Sequence, residues 1–308
     1  NYGESFEDIA GAMASVRQQM GELDQATLQN ITESAYTLKD TFGYEINESV
    51  RAASTLMKQF GVTGDEAMNL IATGAQNGLD FSGELIDSIN EYSVQFAKVG
   101  LNADDMFKIM EKGAETGAWN LDKIGDAIKE MSIRVVDGSD TTAQGFAAIG
   151  LNADEMSAKF AKGGDSAKQA FSQTIKALAG MKDPLQQNIA GVNLFGTMWE
   201  DLGPEVVTQL ANIEEGAYAA GDKLEEMKKV KYDDLGSMLQ GLLRSLEALL
   251  LPLGEELIPI IQSLVDTLMP HLEEYLEPIM ETLGGVVQQI LPLVETLLPP
   301  MLEIISML

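Results

Sequence analysis

Carboxylates are the groups this chain has in quantity for chemistry: 48 Asp and Glu stand against 20 Lys and Arg, one His and no Cys. Paired acids can hydrolyse glycosides when a pocket fixes their separation, as in a cell-wall hydrolase. No motif fixes such a pair here, and at this abundance acid pairs arise by chance. His271 stands alone, which excludes multi-histidine metal sites and most imidazole catalysis. The absence of cysteine removes thiolate chemistry, disulfides and cysteine zinc sites. A net charge of −28 disfavours nucleic acid, whose phosphates need clustered Lys and Arg. The composition therefore predicts no enzyme, no cofactor, no metal site and no specific nucleic-acid recognition.

The acid clusters have a simpler use. GVTGDEA at 61–67, GLNADDM at 100–106 and GLNADEM at 150–156 each place a small polar residue three before an acid: Thr63 and Glu66, Asn102 and Asp105, Asn152 and Glu155. An N-cap oxygen accepts from an unpaired backbone N–H, and first-turn acids complement the positive end of a helix. DGSD at 137–140 reads as a cap or turn too, since none of these clusters has calcium-loop spacing. Reuse of one phrase suggests a duplicated helical hairpin, although spacings of 39 and 50 residues argue against a solenoid.

Strand alternation with hairpin turns is nearly absent, so the fold class is all-α. Caps and apolar periodicity predict helices near 5–20, 24–40, 46–60, 65–77, 82–99, 103–113, 121–135, 153–161, 166–180 and 204–220. These form an Ala/Gly-rich helical domain over 1–222, in which Trp119 and Trp199 are expected as core anchors. The charge-dense stretch KLEEMKKVKYDD follows, and 223–234 is taken as a joint between domains. The longest uncharged run, Pro184 to Trp199, is too short and too polar to cross a bilayer. The chain starts at Asn1 without Met and stops inside an apolar pattern, as a piece of a longer protein would.

Residues 235–308 have a different grammar. From Leu257 an eleven-residue frame repeats, with columns one, five and eight apolar throughout. They hold Leu257, Ile261, Leu264, Leu268, Leu272, Tyr275, Ile279, Leu283, Val286, Ile290, Val294, Leu297, Met301 and Ile305. Steps of four, three and four are helical, and eleven residues in three turns give about 3.67 per turn, so the stripe barely drifts. Pro259, Pro270 and Pro292 share the third column with Glu281 and Glu303, on the polar side away from the seam. A proline there kinks the helix, but water can satisfy the freed carbonyl. The pattern predicts long, Pro-kinked amphipathic helices whose seam needs a partner. The stripe would also serve as the buried face of a globular domain. Extended, however, Asp234 to Leu308 would reach on the order of 110 Å, too long for one compact core. The segment folds back at Gly254 or Gly284–Gly285, or lies along another surface.

A lipid surface is one such partner, since Pro-punctuated elevens resemble exchangeable apolipoproteins. Membrane-surface helices favour Lys and Arg, however. Residues 245–308 hold ten acids and neither basic type. Copies of the chain itself are the other partner, through the seam.

Taken in order, AGAMASVRQQM at 10–20, GVTGDEAMNLIATGA, GLNADDMFKIM, NLFGTMWEDLGPEVV at 193–207 and LLRSLEALLLPLGEELIPII at 242–261 give the chain a likeness to a known family. It resembles the tape measure proteins of long-tailed phages and related prophages, of the TP901-like type. The resemblance covers nearly the whole chain and rests on style and order. It implies an α-helical virion protein in several copies, lying in the lumen of the tail after assembly in the host cytoplasm. There its length would set the length of the tube, and it would be released during genome ejection. The implied partners are other copies of itself, tail tube and tail assembly proteins, and the host membrane during ejection. The chain departs from that pattern in being short and in lacking a long coiled-coil middle.

Overall fold

Local signals in the sequence become helix boundaries in the computed structural model, which describes residues 6–212, 217–219 and 222–232. Cα proximity divides the chain into a unit of residues 1–238 and another of 239–308, and all described residues belong to the first. The fold class is all-α, with fourteen helices and no strand among the described residues.

The first helices are α1 (Phe6–Met20), α2 (Gln25–Phe42), α3 (Ile46–Phe60) and α4 (Gly64–Gln76). They are followed by α5 (Leu85–Lys98), α6 (Ala103–Glu115) and α7 (Leu121–Arg134). Thr63 and Asn102 each form a reciprocal capping box, with Glu66 and Asp105, and Asn152 accepts from the Glu155 N–H. Ser139 caps α8 (Asp140–Ala148) by accepting from Thr142, while Asp137 accepts from the Ser139 N–H at 2.7 Å. The acid clusters thus serve helix starts, and no metal-holding group occurs among the described residues.

Tertiary packing overturns the expectation that no solenoid forms. Odd helices stack in the order α1, α3, α5, α7, and even helices α2, α4, α6 form a second layer beside them. The even N-caps are Asp24, Thr63 and Asn102, each 39 residues after the last, with Ser139 37 further on. Such stacked helix pairs are a repeat architecture in which each pair buries its apolar face on the next. The spacing of 50 between the second and third shared phrases skips Ser139, where the interval continues, and ends on Asn152, an added cap. Polar side chains join neighbouring odd helices: Thr55 to Asn90 at 3.1 Å, Ser88 to Asp122 at 3.4 Å and Tyr92 to Asp126 at 3.0 Å. The α5–α7 contact is close, because a methyl at Gly125 would overlap the Tyr92 ring.

The remaining helices close the far end of the stack: α8, α9 (Ala153–Lys162), α10 (Gly164–Ala179), α11 (Pro184–Phe195), α12 (Met198–Leu202) and α13 (Pro204–Gln209). Helix α11 packs on α7 and α8, and α13 packs on α6 and α10. Three of these, α8, α11 and α12, are absent from the sequence-based expectation. Helix α11 has a legible start, Asp183 as N-cap with Pro184 in the first turn. Its uncharged composition hid the helical face. Trp199 is buried as expected, its indole N–H donating to Asn188 at 3.0 Å and its ring filling the space over Gly191. Trp119 corrects the other expectation: it is 66% exposed, in the α6–α7 loop, with the Lys123 ammonium 6.0 Å from its ring. The helix expected over 204–220 ends at Gln209, because the chain turns back along the even helices.

Candidate functional site

The returning chain marks the most chemically differentiated surface of the described unit. Residues 217–219 and α14 (Lys223–Tyr232) follow the even layer backwards, from α6 past α4 to α2. Asp104, in the first turn of α6, accepts from the Tyr218 N–H at 2.6 Å. The Tyr218 ring packs 5.4 Å from Phe107, and its hydroxyl accepts from Asn77 at 3.2 Å. Burial first, and then the Glu111 carboxylate, push the Tyr218 phenol above its usual range.

On α4, the Asn69 carboxamide oxygen accepts from the backbone N–H groups of Lys223 at 2.9 Å and Leu224 at 3.4 Å. These lie in the first turn of α14, where backbone donors lack partners inside the helix. Asp222 adds an N-cap bond from Glu225 at 3.1 Å. On α2, Asn30 accepts from the Lys228 ammonium at 3.0 Å, and Glu225 pairs with the same ammonium at 2.8 Å. Leu224 and Met227 are buried at the contact. Anchors at 224, 227 and 228 follow the i, i+3, i+4 pattern of a helix laid in a groove. Asn30 and Asn69 occupy the same place in successive pairs, 39 residues apart, as do their caps.

A polar cleft of about 210 Å³ remains between α14 and the even layer, lined by Asn30, Ser34, Asp65, Glu66 and Asn69 with Asp222 and Glu225 opposite. Asn30 donates to Asp65 across this cleft at 2.9 Å. Glu66 is held below the usual carboxylate range by the Thr63 backbone N–H and hydroxyl. These carboxylates are committed to caps and cross-links, an arrangement for holding a helix.

Sequence reasoning gave no sign of this groove; within the stretch 223–234, expected as a joint between domains, Lys223–Tyr232 forms α14. The signal that could have found it is the 39-residue interval running through Asp24, Thr63 and Asn102. The expected seam, from Leu257 to Ile305, lies outside the described residues, as does His271. No described helix is long and apolar enough to cross a membrane.

The described helices form stacked pairs whose even layer holds a further helix of the same chain. The family model for phage-related minor tail protein matches residues 1–196, which span α1 to α11. The chain belongs to that family, and its role is structural, in the phage tail among other tail proteins. No curated protein and no solved structure matches it.

Proposed function

We propose that this minor tail protein is a tape measure protein, or part of one. The observation that carries the reading is the eleven-residue apolar frame over 257–308, attached to a helical unit of the tail family. A helix extends about 1.5 Å per residue, so a sustained helical frame converts residue number into length. The seam residues Leu257, Ile261, Leu264, Leu268, Leu272 and their successors would associate with copies of the chain or with the tube wall. The strongly acidic charge suits a lumen through which DNA later passes, since like charges do not adhere. Nothing in this role requires catalysis.

An in-frame deletion of residues 257–278, two whole elevens, tests the reading by electron microscopy of phage tails. The tail should shorten by on the order of 1.5 Å per deleted residue, and unaltered tails sink the ruler function for this region. The seam has its own test in the whole chain: Leu268→Asp with Ile279→Asp should abolish oligomers detected by light scattering. Amphipathic binding to lipid is the second reading, favoured only by the proline-punctuated frame. Co-flotation with neutral vesicles would support it over the ruler.

A further inference from the structure

The loops that join each even helix to the next odd helix lie along one edge of the stack, and each carries an aromatic residue. Tyr44 stands between α2 and α3, Phe81 between α4 and α5, and Trp119 between α6 and α7, at intervals of 37 and 38 residues. Neighbouring steps of this edge are close. Burial, then the Asp80 carboxylate, raise the Tyr44 phenol above its usual range, and the Ser88 hydroxyl reaches Asp122 at 3.4 Å. Phe81 is 49% exposed and Trp119 66%. Matched places in successive pairs set these rings apart from apolar residues scattered singly over a surface.

The same edge is acidic. Residues 43–45, 77–84 and 116–120 include Glu45, Asp80 and Glu84 and neither Lys nor Arg, and Asp87 and Asp122 follow in the first turns of α5 and α7. The first bases of α3 and α7 are already committed: Arg51 pairs with Glu48 at 2.9 Å and Lys123 with Asp201 at 2.6 Å. Glu45 and Asp87 are exposed and have no ion-pair partner among the described residues. Five buried polar side-chain atoms without a partner among the described residues also fall here, where α3 meets α5. They are Tyr44 Oη, Ser49 Oγ, Ser82 Oγ, Glu84 Oε2 and Asn90 Nδ2. An enclosed carboxylate oxygen lacking a donor adds negative potential, which a cation at the edge would offset.

We propose that this edge binds an extended protein segment bearing arginines, laid along the stack across Tyr44, Phe81 and Trp119. A guanidinium can stack on an aromatic face and pair with a carboxylate at once. Ring and acid recur together at each step: Tyr44 with Glu45, Phe81 with Glu84, Trp119 with Asp122. The Trp119 ring already takes a cation, the Lys123 ammonium 6.0 Å from its centre. Packed helices lie about 9 Å apart and an extended chain advances about 3.3 Å per residue, so every third residue meets a new loop. At −28 the whole chain attracts cations, and the rings are what distinguish this edge. The proposal concerns residues 43–122 and does not rest on the ruler reading.

The test titrates the whole chain with a peptide of three arginines separated by pairs of serines. Trp199 is buried and Trp119 is the other of two tryptophans, so a change in tryptophan emission reports this edge. A saturable change is expected, with one peptide per chain by calorimetry. Trp119→Ser with Phe81→Ser keeps the net charge and alters only exposed side chains. It should weaken calorimetric binding about tenfold, the contribution of two exposed cation–π contacts. The same peptide made with lysines should bind more weakly, since an ammonium does not stack. Equal binding by the double variant, or no saturable binding at all, overturns the proposal, because only general charge attraction is then left. Lysine peptide bound as tightly as arginine peptide overturns the assignment to arginine. Flotation with neutral phosphatidylcholine vesicles that the double variant loses would give the rings to a lipid surface instead. None of these outcomes bears on tail length, so this proposal and the ruler function fail separately.

Discussion

The two layers of the stack solve the same problem differently. Odd helices bind one another directly, through Thr55–Asn90, Ser88–Asp122 and Tyr92–Asp126, with the Tyr92 ring pressed on Gly125. Even helices leave polar groups, Asn30 and Asn69 at matched positions and Asp104 in the first turn of α6, and a returning segment satisfies them. One layer is finished by its own pairs and the other by a ligand. In a repeat protein each pair contacts only its neighbours, so a layer left open presents a row of equivalent sites. That row is where recognition can arise.

Four substitutions separate the layers, given from largest effect to smallest. Gly125→Val places methyls inside the Tyr92 ring and should cost about 3 kcal/mol in urea unfolding, since a packed odd layer cannot shift cheaply. A loss below about 1 kcal/mol would show that α5 and α7 are less closely joined than described. Asp105→Ala removes the acceptor for the Asn102 N–H, half of the capping box of α6, and the partner of Lys168, an ion pair at 2.7 Å that ties α10 to the even layer. The expected cost is about 2 kcal/mol, moderated by the part-exposed lysine. Leu224→Asp should leave global unfolding nearly unchanged while abolishing hydrogen-exchange protection over 223–232. A cooperative loss throughout α1 to α7 would mean that the even layer depends on its strap.

Asp122→Asn is the mildest and has a defined pH dependence. Burial, then the carboxylates of Glu84 and Glu91, raise the Asp122 pKa above its ordinary value. Its ionised form therefore opposes folding. That penalty is absent when the group is protonated and develops fully as pH rises through the folded-state value. Replacement by Asn should stabilise the chain slightly at pH 7, and the gain should vanish in acid below the carboxylate range. Equal effects at both pH values would dismiss the electrostatic account.

Much of the secondary structure was legible because caps are short-range signals. Thr63 with Glu66 and Asn102 with Asp105 span three residues, and each fixes the start of its helix. Helix α11 escaped notice because it begins with Asp183–Pro184 but continues with Gln, Asn and apolar residues and no charge. Trp119 and Trp199 have the same intrinsic tendency to be buried, yet only Trp199 has a glycine, Gly191, beneath its ring and an amide, Asn188, for its N–H. That difference depends on neighbours 8 and 11 residues away, and no propensity carries it.

The sequence by itself determined the all-α class, most helix starts and, through the absence of cysteine, the absence of thiol chemistry. These follow from composition and from interactions within one or two turns. Tertiary structure alone decided that the pairs stack, that Trp119 faces water and that Lys223–Tyr232 lies in a groove. Asn69 and Lys223 are 154 residues apart, and Asn30 and Lys228 are 198 apart. Contacts of that span exist only once the pairs between them have packed, because an open chain has no surface to which they could attach.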